Sequence, residues 1–132
     1  MKPFVRLVPL LLLATGACAQ AQEVPKELPK DLHGRWSVGA AGSKTQPFDL
    51  ENVKRKDDGT FAARLTWTTT DPRCILRYQP ITGSVTATSL KFESVTPCGE
   101  AINAELKPAA AGWVGQATNK ATPPVVMALT AK

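Results

Sequence analysis

The sequence feature that most constrains the fold is a two-residue alternation of apolar and polar side chains, repeated between turn residues. The clearest example is FAARLTWT, residues 61–68, in which Phe61, Ala63, Leu65 and Trp67 would share one face. Side chains of a strand point alternately to opposite faces, so this pattern predicts a strand with one apolar face. The Asp-Gly pair shortly before it favours a hairpin turn.

Similar segments recur at a spacing of about 8–12 residues, which is typical of an all-β domain. No stretch of the chain after the N-terminal region shows a convincing helical period. Eight strands are predicted, over residues 35–40, 48–54, 61–68, 75–81, 90–94, 102–107, 113–117 and 125–131, and Pro108 is expected to end the sixth. The fold class is therefore predicted as an eight-stranded antiparallel up-and-down β-barrel, which leaves no strand edge exposed, with a β-sandwich as the alternative.

Two cysteines flank the predicted hairpin of the fourth and fifth strands. Cys74 precedes the fourth strand, Cys98 follows the fifth, and their midpoint falls near the expected turn at residues 83–88. Cysteines at equal distances from a hairpin turn lie side by side at its open end, where their Cα atoms come within about 6 Å. We therefore predict a structural Cys74–Cys98 disulfide, which contributes about 3 kcal/mol in the chain-entropy model. The chain has too few other thiols and histidines to indicate a metal site.

The first residues of the chain have the layout of a secretory signal peptide, which we place at residues 1–19. A short basic start precedes an apolar run over residues 7–13 and a group of small residues. The run is far shorter than the roughly 20 residues that cross a membrane as a helix, so no transmembrane span is predicted. Cleavage after Ala19 would discard Cys18 and leave a periplasmic or secreted protein, which we favour. The small residues before Cys18 also loosely resemble a lipobox, and cleavage there would leave Cys18 as the lipidated N-terminus of an outer-membrane lipoprotein.

Removal of residues 1–19 leaves 113 residues, enough for one domain with a modest core. Residues 20–33 are polar and contain two prolines, which predicts an extended N-terminal arm before a β-barrel domain over residues 34–132. The loss of Lys2 and Arg6 lowers the formal net charge from +5 to +3. A positive charge this weak and dispersed does not indicate nucleic-acid binding.

The sequence lacks the residue combinations that catalysis requires. His33, the only histidine, stands at the end of the polar arm and is expected to be an exposed or capping residue. No pair of carboxylates stands out for acid–base chemistry, and no glycine-rich phosphate loop connects a strand to a helix. We therefore predict no enzymatic activity, no catalytic residue and no cofactor.

The tryptophans are the residues that most indicate a binding site. Trp36, Trp67 and Trp113 are expected on the apolar faces of their strands, where they either fill the core or line a ligand cavity at the mouth of the barrel. Tyr78 would offer a polar contact to such a ligand. Small residues in the same inward rows either leave room for a ligand or accommodate the indole rings, so a hollow and a filled barrel both stay open.

The segment DLHGRW, residues 31–36, places Gly34 and Trp36 at the start of the first strand. This Gly-x-Trp resembles the opening of the lipocalin- and avidin-like (calycin-type) barrels, in which it closes one end of an eight-stranded meander. The resemblance implies a non-catalytic barrel that binds a small apolar or amphipathic ligand.

The same segment is also similar to the start of the small periplasmic inhibitors of bacterial zinc metalloproteases. Those inhibitors are eight-stranded barrels with one disulfide and an N-terminal arm that enters the protease cleft. Here the arm would be residues 20–32. We expect an exported protein that binds a small apolar ligand, with a protease inhibitor or other module that binds an envelope protein through this arm as the alternative.

Overall fold

Over residues 22–39 and 44–132, which the computed structural model describes, eight strands form one closed antiparallel barrel. Each strand pairs with the next one along the chain, and β8 pairs with β1. The predicted all-β class and up-and-down order are therefore confirmed. The strands are β1 (Leu32–Val38), β2 (Thr45–Arg55), β3 (Thr60–Trp67), β4 (Leu76–Val85), β5 (Leu90–Val95), β6 (Ala101–Ala109), β7 (Gly112–Thr118) and β8 (Val126–Ala131).

Most strand boundaries differ from the prediction by one to four residues, and two of these differences follow from strand pairing. β1 begins at Leu32 rather than Arg35, because residues from Leu32 onward already pair with β2. The predicted end of this strand, residue 40, lies outside the described residues. Pro108 does not end β6, which continues one residue beyond it. The last β6 residue paired with β5 is Leu106, so β6 has a free edge at Pro108, where a residue without an N–H is tolerated.

The meander gives the barrel two distinct ends. The β1–β2, β3–β4, β5–β6 and β7–β8 connections lie at one end, which we term the upper end. The β2–β3, β4–β5 and β6–β7 connections lie at the opposite, lower end, together with the segment that precedes β1. The position of a residue along its strand therefore determines which end of the barrel the residue is near.

Apolar side chains fill the interior of the barrel. Inward positions alternate with outward ones along the strands, as the two-residue period predicts. Full burial of a large apolar side chain stabilises the folded protein by roughly 1.5–3 kcal/mol relative to exposure of that side chain. The largest fully buried side chains are Trp67, Phe48, Phe61, Phe92, Leu32, Leu50, Leu65, Leu90, Ile102, Leu106 and Leu129. The barrel is thus a packed core rather than a hollow container.

Gly34 lets β1 approach both of its neighbours closely. A Cβ atom at this position would overlap the ring of Phe48 on β2 and crowd the carbonyl oxygen of Thr130 on β8. The glycine of the Gly-x-Trp motif is therefore explained by close packing of β1 in the barrel wall. The tryptophan of the motif, Trp36, lies two residues further along β1, toward the upper end.

The joint between β4 and β5 is the least complete in the barrel wall. These strands pair over only two residues each, next to their connecting turn, whereas other neighbouring strands pair over five to seven. Tyr78 has a positive φ of 47° and lies where the β3–β4 register shifts, as in a β-bulge. Pro80, on the same strand, has no N–H to donate to a neighbour. Backbone pairing between β4 and β5 therefore does not extend to the upper end.

The disulfide between Cys74 and Cys98 joins these two strands at the end that backbone pairing does not reach. Cys74 ends a short 3-10 turn, Pro72–Cys74, just before β4, and Cys98 lies in the turn after β5. Their Cα atoms are 5.0 Å apart. The predicted pairing is confirmed, and its location shows what it does. The covalent bond holds β4 and β5 together at the upper end, where backbone pairing does not.

The segment before β1 lies across the lower end of the barrel. The Val24 amide donates a hydrogen bond to the carbonyl oxygen of Ala87 at 2.7 Å, and the Arg55 guanidinium donates to the carbonyl oxygen of Pro25 at 3.0 Å. Val24 is buried, and Leu28 packs against the core. The described part of the predicted arm is therefore bound to the barrel and covers its lower end.

The predicted signal segment at residues 1–19, including Cys18, lies outside the described residues. Its cleavage and the alternative lipidation of Cys18 stay predictions. In the part of the chain that the structure describes, no helix has both the length and the apolar character needed to cross a membrane.

We predict that the Cys74→Ala/Cys98→Ala variant loses about 3 kcal/mol of unfolding free energy, because the disulfide closes a long loop of the unfolded chain. Amide hydrogen exchange should also accelerate more in β4 than in β2, since only β4 loses its attachment at one end. Chemical denaturation followed by circular dichroism measures the first effect, and exchange mass spectrometry measures the second. Equal acceleration in both strands would contradict the local role of the disulfide.

Candidate functional site

A pocket of about 290 Å³ opens at the upper end of the barrel. Its walls come from β1, the β3–β4 connection, the start of β6, and the β7–β8 connection with the start of β8. The apolar side chains that line it are Trp36, Val38, Trp67, Ala101, Ile102, Val125 and Met127. This volume lies at the lower limit of the roughly 300–1,000 Å³ common in ligand pockets, so the pocket suits a small ligand.

Trp36 and Trp67 form a stacked pair at the base of the pocket. Their ring centroids are 5.1 Å apart, and their planes are inclined by 10°. Trp67 is only 2% exposed and contacts Phe48, with ring centroids 5.5 Å apart, whereas Trp36 is half-buried. One indole therefore belongs to the core, and the other extends the aromatic stack into the pocket.

A hydrogen bond fixes the orientation of Trp36. Its indole Nε1 donates to the carbonyl oxygen of Thr68, just after β3, at 3.0 Å. The Thr68 amide in turn donates to the carbonyl oxygen of Pro47 on β2 at 3.1 Å. Because its only donor is already engaged, Trp36 offers a ligand its apolar ring surface rather than a hydrogen bond.

Asp71 is a charged residue at the rim of the pocket, and it is already paired. Its carboxylate accepts hydrogen bonds from Nε and Nη2 of Arg73, at 3.2 and 3.0 Å, and from the Arg73 amide at 3.0 Å. These bonds hold the pKa of Asp71 below its usual range and raise the pKa of Arg73. The pair stabilises the short turn that carries Cys74.

Asn119 orders the opposite side of the rim. Its side-chain oxygen accepts hydrogen bonds from the amides of Ala121 and Val125, at 3.2 and 2.8 Å. Asparagine commonly stabilises loops in this way. The bonds fix the β7–β8 connection and bring Val125 to the pocket.

Glu100 is the second charged residue that lines the pocket. Its amide donates a hydrogen bond to the Thr96 hydroxyl at 3.1 Å, which fixes the backbone of the β5–β6 turn. Within residues 22–39 and 44–132, its carboxylate forms no ion pair. The rim thus carries one paired and one unpaired carboxylate.

Two other residues that the sequence predicted as ligand contacts, Trp113 and Tyr78, lie away from this pocket. Trp113 is buried near the lower end, because β7 begins there and Trp113 is its second residue. Tyr78 is 58% exposed on β4, in the region of the bulge. The structure therefore brings together Trp36 and Trp67 out of the four predicted lining residues.

The imidazole ring of His33 lies on the outside of the barrel and contacts Asp49. Its Nδ1 is 2.7 Å from a carboxylate oxygen of Asp49 on the neighbouring strand β2. This hydrogen bond is the main cause of the raised pKa of His33. The residue lies toward the lower end of β1, away from the pocket.

A larger groove, of about 490 Å³, runs along the outside of the barrel near its lower end. Two polar side chains at this groove form hydrogen bonds with residues of β2: His33 bonds to Asp49, and Arg35 bonds to the Thr45 hydroxyl. Four depressions on the outer surface, with volumes of about 420–600 Å³, exceed the upper pocket in volume, and this groove is one of them. We place the candidate site in the upper pocket because two stacked indoles line it together with a few polar side chains, a combination common in ligand sites.

Sequence reasoning did not identify most of the residues that line this pocket. Met127 follows from the alternation along β8, which places it inward. Asn119, Val125 and Glu100 lie in or beside the connections at the upper end, and no periodic pattern describes the path of such segments.

Comparisons with known proteins do not assign this chain to a family. No family model, no curated protein and no solved structure matches it. The closed eight-stranded barrel is consistent with a calycin-like fold. The narrower resemblances, to lipocalins, avidins and metalloprotease inhibitors, stay predictions.

We predict a coupling free energy of about 0.5–1.5 kcal/mol between Trp36 and Trp67, because stacked aromatic rings interact beyond the area they bury. The measurement is a double-mutant cycle with Trp36→Leu and Trp67→Leu, followed by chemical denaturation. The matched control is a cycle of Trp67→Leu with Trp113→Leu, residues at opposite ends, whose effects should add within about 0.5 kcal/mol. Equal coupling in both cycles would be inconsistent with a specific stack.

Proposed function

We propose that this protein is a non-catalytic exported binding protein that holds a small apolar or amphipathic ligand at the upper end of its barrel. The observation that carries the proposal is the stacked pair of Trp36 and Trp67, whose half-buried member lines a pocket with apolar walls and a polar rim. A flat apolar group placed on Trp36 would continue the stack, and its apolar surface would be removed from contact with water. A periplasmic or secreted location belongs to the same proposal, supported by the signal-like N-terminus and the disulfide.

The packing of the barrel supports this location for the ligand. Fully buried side chains occupy the interior, and the arm covers the lower end. The upper pocket supports the proposal because it can take an apolar group without displacing the core. Its size favours a ligand of one or two rings over a long acyl chain.

The pocket is also held in shape before any ligand arrives. Hydrogen bonds fix Trp36 to the segment after β3 and Asn119 to the β7–β8 connection, and the disulfide fixes the wall that contains Cys74. A ligand therefore loses little affinity to the ordering of side chains and loops. This rigidity supports a binding role.

The polar groups near the pocket support binding rather than catalysis. Asp71 is engaged with Arg73, and the Asn119 oxygen is engaged with backbone amides. His33 is exposed on the outside of the barrel. General acid–base or nucleophilic catalysis needs such groups to converge on one reacting atom.

The alternative is a protease inhibitor or other protein-binding module that acts through the N-terminal arm. An arm that binds a partner as an added strand offers its own backbone groups to that partner. Here the Val24 amide and the Pro25 carbonyl group bind the barrel, and Val24 is buried. These contacts favour the small-ligand function over the alternative.

We predict that N-phenyl-1-naphthylamine, a neutral fluorescent aromatic probe, binds the folded protein and that Trp36→Ala weakens its affinity about tenfold or more. The expected loss reflects removal of the exposed surface of the stack and corresponds to about 1.4 kcal/mol. Fluorescence titration measures the affinity, and circular dichroism verifies that each variant is folded.

Two control variants separate this proposal from the alternative. Tyr78→Ala removes an exposed aromatic side chain away from the pocket, and Glu23→Ala/Lys26→Ala changes two exposed residues of the arm. Both should bind the probe as the wild type does. Wild-type affinity in Trp36→Ala, or loss of binding in the arm variant alone, would refute the proposed site.

A further inference from the structure

We infer that the ligand of the upper pocket is a planar aromatic molecule that carries a positive charge. This inference rests on the proposed function and adds the chemical class of the ligand. It combines two independent features of the pocket, the sign of its charge and the aromatic face that Trp36 presents.

The charged side chains that line the pocket are both acidic. They are Asp71 and Glu100, and no basic residue in the described part of the chain lines it. Lys44 and Lys120 lie near the same end of the barrel but are exposed and are not among the lining residues. Residues 40–43, Ala-Ala-Gly-Ser, carry no charged side chain in the sequence.

The two carboxylates differ in how far they are neutralised. Arg73 engages both oxygens of Asp71, so that pair carries no net charge. Glu100, which lies two residues after Cys98, has no such partner among the described residues. The pocket therefore has one uncompensated negative charge at its rim, which a cationic group on the ligand would neutralise.

The aromatic stack attracts the same class of ligand. The face of an indole ring carries the negative part of its quadrupole, and among aromatic side chains it binds cations best. The Trp36 N–H is engaged with Thr68, and the ring therefore contributes its face rather than its donor edge. A flat cation can use both features at once, with its ring on Trp36 and its charge toward Glu100.

An anionic ligand finds no cationic partner among the described residues that line this pocket. The Arg73 guanidinium is directed to Asp71, and the Trp36 donor is already used. A carboxylate on the ligand would also be repelled by Glu100. A neutral aromatic ligand would use the indole face but leave the Glu100 charge unused.

The test compares three naphthyl probes that differ in charge: 2-naphthylmethylammonium, 2-naphthylmethanol and 2-naphthoate. Calorimetric titration at one ionic strength should give the order cation, neutral, anion, with the cation about fivefold tighter than the neutral probe. Glu100→Gln should reduce that ratio to within about twofold, because the variant keeps the side-chain shape and removes the charge. Glu93→Gln, an exposed position on β5, is the matched control and should keep the wild-type ratio.

The possible results separate this inference from the proposed function. Equal affinity for the cation and the neutral probe, or an undiminished cation preference in Glu100→Gln, would overturn the inference while the proposed function stands. Failure of all three probes to bind would overturn both. Added salt should reduce the cation preference, since part of it comes from an exposed carboxylate.

Discussion

The structure depends on how the barrel is closed between β4 and β5. Seven of the eight joints in the wall are extended backbone ladders, and this one is a short ladder at the lower end with a disulfide at the upper end. Without the disulfide, two strand edges would separate and expose unpaired backbone groups. The same bond builds the candidate site, because Cys74 lies in the pocket wall directly after the Asp71–Arg73 pair. Closure of the barrel and the shape of the pocket are therefore one structural feature.

Much of this architecture is predictable from the sequence because strands with one buried face impose a two-residue period. That period identified the strands, and the equal spacing of Cys74 and Cys98 from a hairpin turn identified the disulfide. The predicted start of the first strand at Arg35 and the predicted end of the sixth strand at Pro108 were wrong. Pairing with neighbouring strands, rather than local propensity, decides where a strand begins and where it tolerates proline.

The candidate site was less predictable, for two physical reasons. The alternation shows which face of the sheet a residue occupies. Which end of the barrel the residue is near depends on the direction of its strand and on the position of the residue along that strand. Trp36 and Trp67 stand near the upper ends of β1 and β3, whereas Trp113 stands at the lower start of β7. Tyr78 shows the second reason, since it lies at a backbone irregularity that the regular alternation does not describe. The charged rim lies in loops, where sequence periodicity says nothing about position.

The interior and the upper end of this barrel have different roles. A packed core supports the fold, and the half-buried indole of Trp36 connects that core to the pocket. In the proposed function, large side chains stabilise the interior and Trp36 contributes the aromatic surface that a ligand would contact. The specificity would then come from the connections that surround Trp36.

The most direct test is an NMR titration of the 15N-labelled indole groups with 2-naphthylmethanol. The chain has three tryptophans, so three Nε1–H signals report on the two ends of the barrel at once. The account predicts that the Trp36 and Trp67 signals shift together with one dissociation constant while the Trp113 signal stays in place. A shift of the Trp113 signal without a shift of the Trp36 signal would contradict binding at the upper end.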